Sequence, residues 1–445
     1  MSIERWSNEA ASAEKLRESL HFEFSGLNAP NRFLKAAMTE RLSSWHPTDI
    51  SKRGIPSDGL INVYRRWGEG GYGVILTGNI MIDPEHLEAA GNAIIPKNAS
   101  FEGERFDAFK ELASAAKSNG ALIYGQLSHP GRQTPENIQP HPVSASDVQL
   151  AKNPVGSFGK PIALTIEGIK DIVEKFAHGA EYLYQAGFDG AELHGAHGYL
   201  LSQFLSPTTN LRDDKYGGSL ENRSRIIFEI ADAIRAKVPK SFSLSIKLNS
   251  VEFQDKGFST EDCKTLCQTL EKHEFDWVEL SGGTYQASGF GHRRESTKKR
   301  EAFFLEFSEM IVPALKETKV YVTGGLRSTD AMVKALDTIH GVGLGRPACW
   351  EFDIPNKLLS EKVFSAIKTR LDEQNFGLTN LAAGTMIRMV SKDQEPIPLS
   401  DEKYFDIFNK SLKEWGIKMQ SNEGGYMYGF VDLAGLEANP YGEAY

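Results

Sequence analysis

The sequence is poor in cysteine. Its 445 residues hold only Cys263, Cys267 and Cys349. An odd count offers no disulfide framework, so a reducing, cytoplasmic setting is expected. Three cysteines also exclude a four-cysteine iron–sulfur cluster supplied by this chain alone. Basic residues are not in excess: 50 Lys and Arg stand against 59 Asp and Glu, a net charge of −9. That argues against nucleic-acid partners, which need a basic face. No apolar run reaches the roughly eighteen residues of a membrane helix, so no membrane partner is expected. The opening "MSIERWSNEAASAEKLRESL" carries early acids and no compact apolar stretch, unlike a secretory signal. Internal repeats and low-complexity tracts are absent. So is a G-x-G-x-x-G after an early strand, the fingerprint of a doubly wound dinucleotide fold.

What the chain does contain is alternation. Strand patterns run over 31–39, 73–79, 121–128, 188–195, 243–249, 276–283, 320–326 and 341–346. Each is followed by a helical pattern: 60–71, 105–120, 166–187, 219–238, 259–273, 303–318, 329–338 and 355–369. Ser259, with Asp262 three residues on, reads as a helix cap. Eight βα units over about 340 residues predict an α/β protein with a closed (β/α)8 TIM barrel. Residues 129–164 carry six prolines and interrupt the unit after the third strand, as lids and binding loops do. Residues 371–445 extend past the eighth helix and include helical periodicity at "DEKYFDIFNKSLKEWGIKM". The expected organisation is a barrel over 1–370 and a helical C-terminal extension over 371–445 packed on it.

Period-two alternation sorts the strand faces. In "SLSIKLN", Leu244, Ile246 and Leu248 should meet the helices, leaving Ser243, Ser245, Lys247 and Asn249 inside. A buried lysine there needs an anionic partner. Glu192 and His194 also point inward, Gln126 shares a face with Tyr124, and Thr39 with Ala37. Thr39, Gln126, His194 and Lys247 therefore collect at the carboxyl rim, where barrel enzymes build their sites. "VTGGL" and "GLGR" end the last two strands, the usual phosphate cradle of this architecture. Arg346 there offers a charge-assisted clamp. His194 and His197 lack the H-E-x-x-H context or third ligand of a zinc site, so no metal is expected.

Several strings now resemble one family. "AAMT" (36–39), "QLSHPGR" (126–132), "GFDGAELHGAHGYLLSQFLSPTTNLRDDKYGGSLENRSR" (187–225), "VTGGLRS" (322–328) and "GLGR" (343–346) are similar to those of Old Yellow Enzymes, FMN-dependent ene-reductases. The match runs in order from about residue 22 to 370. The resemblance implies FMN across the carboxyl ends of the strands, reduced by NADH or NADPH in a ping-pong cycle. It implies hydride transfer from flavin N5 to the β-carbon of an α,β-unsaturated carbonyl compound.

By the same resemblance, His194 and His197 would donate hydrogen bonds to the substrate oxygen, with His194 beside the flavin. Tyr199 would protonate the other alkene carbon. A helical turn after the fourth strand would put both imidazoles on one side and Tyr199 on another. Ala37, Met38, Thr39 and Gly78 would line the flavin ring. Gln126 would read its pyrimidine edge, and Lys247 would stand where arginine is more usual, beside N1 and O2. Gly324, Gly325, Gly345 and Arg346 would hold the phosphate. Arg41 departs from a tyrosine found in some relatives. The substrate would be a small enone or nitroalkene, and a homo-oligomer is left open. Two readings compete: a flavin reductase acting on quinones, nitro compounds or oxygen, and a catalytically idle barrel serving as a scaffold.

Overall fold

The computed structural model describes residues 3–152, 156–250, 252, 256–282, 305–422 and 424–445. Eight parallel strands form its centre: β1 (Phe33–Lys35), β2 (Val74–Met81), β3 (Leu122–Ser128), β4 (Gly190–Gly195), β5 (Ser243–Asn249), β6 (Trp277–Ser281), β7 (Lys319–Thr323) and β8 (Gly341–Leu344). Strand β8 pairs with β1 and β1 with β2, so the sheet closes on itself and the expected barrel is borne out.

Side-chain alternation fills the cylinder. Leu244, Ile246 and Leu248 join the apolar layer between strands and helices. A separate cluster inside the barrel contains Leu34, Val74, Leu76, Leu122, Tyr124, Trp277 and Tyr321. Trp277 meets Tyr124 and Tyr321 edge-on, with centroids 5.2 and 5.3 Å away. Leu20, Phe22 and Ala29 belong to the same cluster, two of them on the short hairpin Leu20–His21/Asn28–Ala29. This packed apolar plug leaves the polar inward positions, later along each strand, at the carboxyl end.

Helices cover the outside: α1 (Asp58–Glu69), α2 (Glu104–Ala116), α3 (Ile166–Gln185), α4 (Leu220–Arg235), α5 (Thr260–Lys272), α6 (Leu305–Ile311), α7 (Thr329–Ala335) and α8 (Ile354–Leu359). Side-chain caps start five of them. Ser57, Thr165, Ser219, Ser259 and Ser328 accept from backbone N–H groups in the first turns of α1, α3, α4, α5 and α7. Beyond the barrel lie α9 (Phe376–Ser391), which packs on α1, and α10 (Glu402–Gln420). No helix among the described residues is long and apolar enough to cross a membrane.

Several expected elements are shorter than their patterns, and three of them have clear local causes. Strand β1 ends at Lys35. The chain then bends inward so that Glu40 accepts from the Gly78 N–H at 2.9 Å and from the Tyr64 hydroxyl. Strand β7 ends at Thr323 because Gly324 and Gly325 adopt φ of 135° and 90°, which breaks the ladder. Helix α8 ends at Leu359 rather than 369. The Ser360 hydroxyl donates to the Asn356 carbonyl, and Glu361 turns to φ 57°. The next residues find extended partners instead: Trp6 N–H donates to Ala366 O at 3.2 Å and Lys368 N–H to Glu4 O at 2.9 Å. Of the predicted sixth strand and sixth helix, residues 283 and 303–304 lie outside the described residues.

Candidate functional site at the carboxyl rim

Register builds the site. Gln126 lies beside Glu192, His194 beside Lys247, Lys247 beside Glu279, and Asn249 beside Ser281. Lys247 Nζ donates to Glu279 Oε1 at 2.9 Å, which supplies the anionic partner its burial requires. Gln126 Nε2 donates to Glu192 Oε1 at 2.7 Å. The sequence reading missed Glu279 and Ser281. Alternation along "DWVELS" would have shown both, since Trp277, Glu279 and Ser281 share the inward face.

His194, His197 and Tyr199 come together, though not by a helical turn. His197 has φ 58° and Gly198 φ 78°, so the chain makes a left-handed bend before the short helix Leu200–Leu205 begins. The bend is held by the His197 N–H donating to Asn249 Oδ1 at 3.1 Å. It sets the His194 ring 5.3 Å from His197 and 4.6 Å from Tyr199, nearly perpendicular to each. His194 Nδ1 accepts from the Ala196 N–H at 3.3 Å, which leaves the proton of a neutral ring on Nε2. His197 Nε2 pairs with Ser281 Oγ at 3.0 Å. Burial, then His197 and Lys247, hold His194 well below the usual imidazole range. Burial, then Lys247, lowers His197 to about 3. Both rings are therefore neutral at physiological pH.

Ala37, Met38 and Thr39 are partly exposed along the irregular stretch after β1. The Thr39 hydroxyl donates to Glu88 Oε2 at 2.9 Å, and Arg41 pairs with Glu88 at 2.7 Å. Gly78 packs against the first strand's loop: a Cβ there would collide with Glu40 and the Met38 carbonyl. A Cβ on Gly345 would meet only Met38 Sδ, at 3.4 Å. Arg346 reaches Thr379 Oγ1 at 2.8 Å and shares Glu373 with Arg327, at 3.3 and 3.0 Å. Two guanidiniums meet at this corner, close in sequence to Gly324–Gly325.

The donor set fits a flavin mononucleotide. Gln126 Oε1, Asn249 Nδ2 and Thr323 Oγ1 are buried without hydrogen-bond partners at the rim. An acceptor such as Gln126 Oε1 matches an imide N–H, and the Arg-rich corner matches a phosphate.

A different cluster, Asp83, His86 and His129, has metal-type geometry beside the lid segment. Its hydrogen bonds argue for another role. His86 Nε2 accepts from the Val143 N–H at 3.3 Å and His129 Nδ1 from the Gly131 N–H at 3.0 Å. A neutral His86 ring would then carry its proton on Nδ1, 3.5 Å from Asp83 Oδ1, the reverse of a metal-binding histidine, which donates through its outer nitrogen. Lys175 adds an ion pair to Asp83 at 2.7 Å. The cluster ties residues 131 and 143 of the excursion to the loop after β2.

Fold and site together define a flavin-binding (β/α)8 oxidoreductase. The chain belongs to the NADH:flavin oxidoreductase / NADH oxidase family, whose model matches residues 21–361, and which includes the Old Yellow Enzymes. FMN is its cofactor and NAD(P)H its reductant. The NADH-dependent flavin oxidoreductase nadA of Aspergillus parasiticus is 48% identical over 412 residues, 92% of this chain and 93% of that protein. The NADH-dependent flavin oxidoreductase iccE of Talaromyces variabilis is 35% identical over 363 residues, 76% of this chain and 84% of its own. Among solved structures, the Old Yellow Enzyme homologue from Zymomonas mobilis superposes with a TM-score of 0.63 at 20% identity. It covers 79% of this chain and 94% of that one, a likeness of fold.

Proposed function

We propose that this enzyme reduces the activated C=C bond of α,β-unsaturated carbonyl compounds, with NADH as its reductant. The observation that carries the reading is the convergence of two neutral imidazoles and a phenol at the barrel mouth. FMN, when bound, supplies the hydride chemistry. His194 Nε2–H and the His197 ring donate to the substrate oxygen, where negative charge grows as the β-carbon is reduced. Neutral donors suit this task, because they polarise the oxygen without surrendering a proton to it. His197 must exchange its Ser281 contact for the substrate oxygen or donate from Nδ1. Tyr199, perpendicular to His194, protonates the adjacent carbon.

Gln126 and Lys247 hold the pyrimidine edge of the flavin. Ala37, Met38 and Thr39 line its ring beside Gly78, and Gly324, Gly325, Gly345 and Arg346 hold the phosphate. The names of the two fungal relatives support NADH over NADPH. The test is anaerobic. Purified yellow protein should bleach with NADH and regain colour with a cyclic enone. Reoxidation by quinones, nitro compounds or oxygen but not by any enone would refute the alkene reading. A colourless protein that takes up no FMN would refute the flavin site.

A further inference from the structure

The floor of the site contains two carboxyl groups and one ammonium, all buried. Glu192 and Glu279 are each 0% exposed and Lys247 3%. One oxygen of each carboxyl has a donor: Gln126 Nε2 for Glu192 and Lys247 Nζ for Glu279. The remaining two, Glu192 Oε2 and Glu279 Oε2, are buried and have no donor at all. The two side chains lie within hydrogen-bonding reach of each other. Two adjacent anions in a poorly hydrated interior, with Lys247 hydrogen-bonded to only one of them, cannot both keep their charge.

We propose that Glu192 and Glu279 share one proton, carried on Glu192 Oε2 and donated to Glu279 Oε2, and that this proton removes one of the two negative charges beside Lys247. Glu192 is the carrier because Lys247 stabilises charge on Glu279, while Glu192 has only a neutral amide. Burial, followed by the charge of Glu279, raises the Glu192 carboxyl well above the ordinary range. Lys35 also acts on Glu279, while His194 and His197 act on Lys247.

The arrangement has two consequences for the cofactor. With Glu192 protonated toward Glu279, its other oxygen stays an acceptor, so Gln126 turns its amide N–H₂ to Glu192 and presents Oε1 to the cavity. That orientation accepts an imide N–H. Lys247 is then offset by one carboxylate rather than outnumbered by two, so a flavin that becomes anionic on reduction meets no net negative charge.

The inference rests on the proposed flavin position for its consequence, but not for its test. Infrared spectra of flavin-free and flavin-loaded protein at neutral pH should both show a protonated-carboxyl C=O band. The band should disappear in Glu192→Gln and persist in Glu252→Gln, a second buried glutamate used as a control. Absence of the band in folded wild-type protein, or its survival in Glu192→Gln, would overturn the proposal. If Glu192→Gln does not fold, Glu279→Gln serves: Glu192 then ionises against Lys247 and the band is lost, whereas a persisting band overturns the idea. Failure of the protein to bind FMN would refute the site reading while leaving the flavin-free spectrum decisive for the proton.

Discussion

Replacing Lys247 by methionine isolates what its ion pair contributes. The Lys247 and Glu279 side chains are 4% and 0% exposed, so the variant leaves a carboxylate deep in the barrel without its hydrogen-bonded cation. Removing one partner of such a pair costs about 3–5 kcal/mol. Methionine fills most of the lysine stem's volume, which keeps the packing loss to about 1 kcal/mol. The double variant Lys247→Met/Glu279→Gln removes the stranded charge as well and should recover about 2–4 kcal/mol of the loss, a coupling that a thermodynamic cycle reads directly. Urea denaturation followed by tryptophan fluorescence at pH 8 measures the loss and its recovery. A single variant that loses less than about 1 kcal/mol at pH 8, or a double variant no more stable than the single one, would refute the reasoning.

Other outcomes are as specific. Tyr199→Phe should leave bleaching by NADH intact and slow reoxidation by an enone about 10²–10⁴-fold in rapid-mixing experiments, the usual contribution of a positioned acid. His197, lowered to about 3, should show no imidazole titration by NMR between pH 5 and 8. Because its folded pKa lies below the unfolded value of about 6.5, its stabilising contribution is full above that pH. It is lost as pH falls toward 3, by up to about 1.4 kcal/mol per pH unit. Gly384→Ala should cost about 1–3 kcal/mol, since a Cβ there would collide with the Phe430 ring. Limited proteolysis should then cut the segment 424–433 sooner than in the wild type.

The fold was legible where alternation is undisturbed. Residues 243–249 form β5 as read, with Lys247 inward, because apolar and polar residues alternate there without a break. The site was legible by residue type and order, through the fixed eightfold sequence of strands. Its local geometry was not. Nothing in "HGAHGYL" announces that a histidine takes the left-handed conformation at 197, since that bend is maintained by Asn249 from the neighbouring strand. The end of α8 was invisible for a similar reason: residues 365 and 367 pair with Ser328 and Arg5, distant in sequence, and tertiary partners outweigh helical periodicity. Glu279 is inward by alternation along "DWVELS", but its place beside Lys247 depends on the register between β5 and β6, which neither strand carries alone.

The segment 424–433 reaches back to the very first rim loop. Trp45 Nε1 donates to the Gly425 carbonyl at 2.8 Å, and Arg41 lies 4.8 Å over the Phe430 ring. The mouth is thus assembled from residues separated by nearly the whole length of the polypeptide. During synthesis, the barrel can close while that wall is still missing. The contact between residues 424–433 and the first rim loop therefore forms only after all eight strands have left the ribosome.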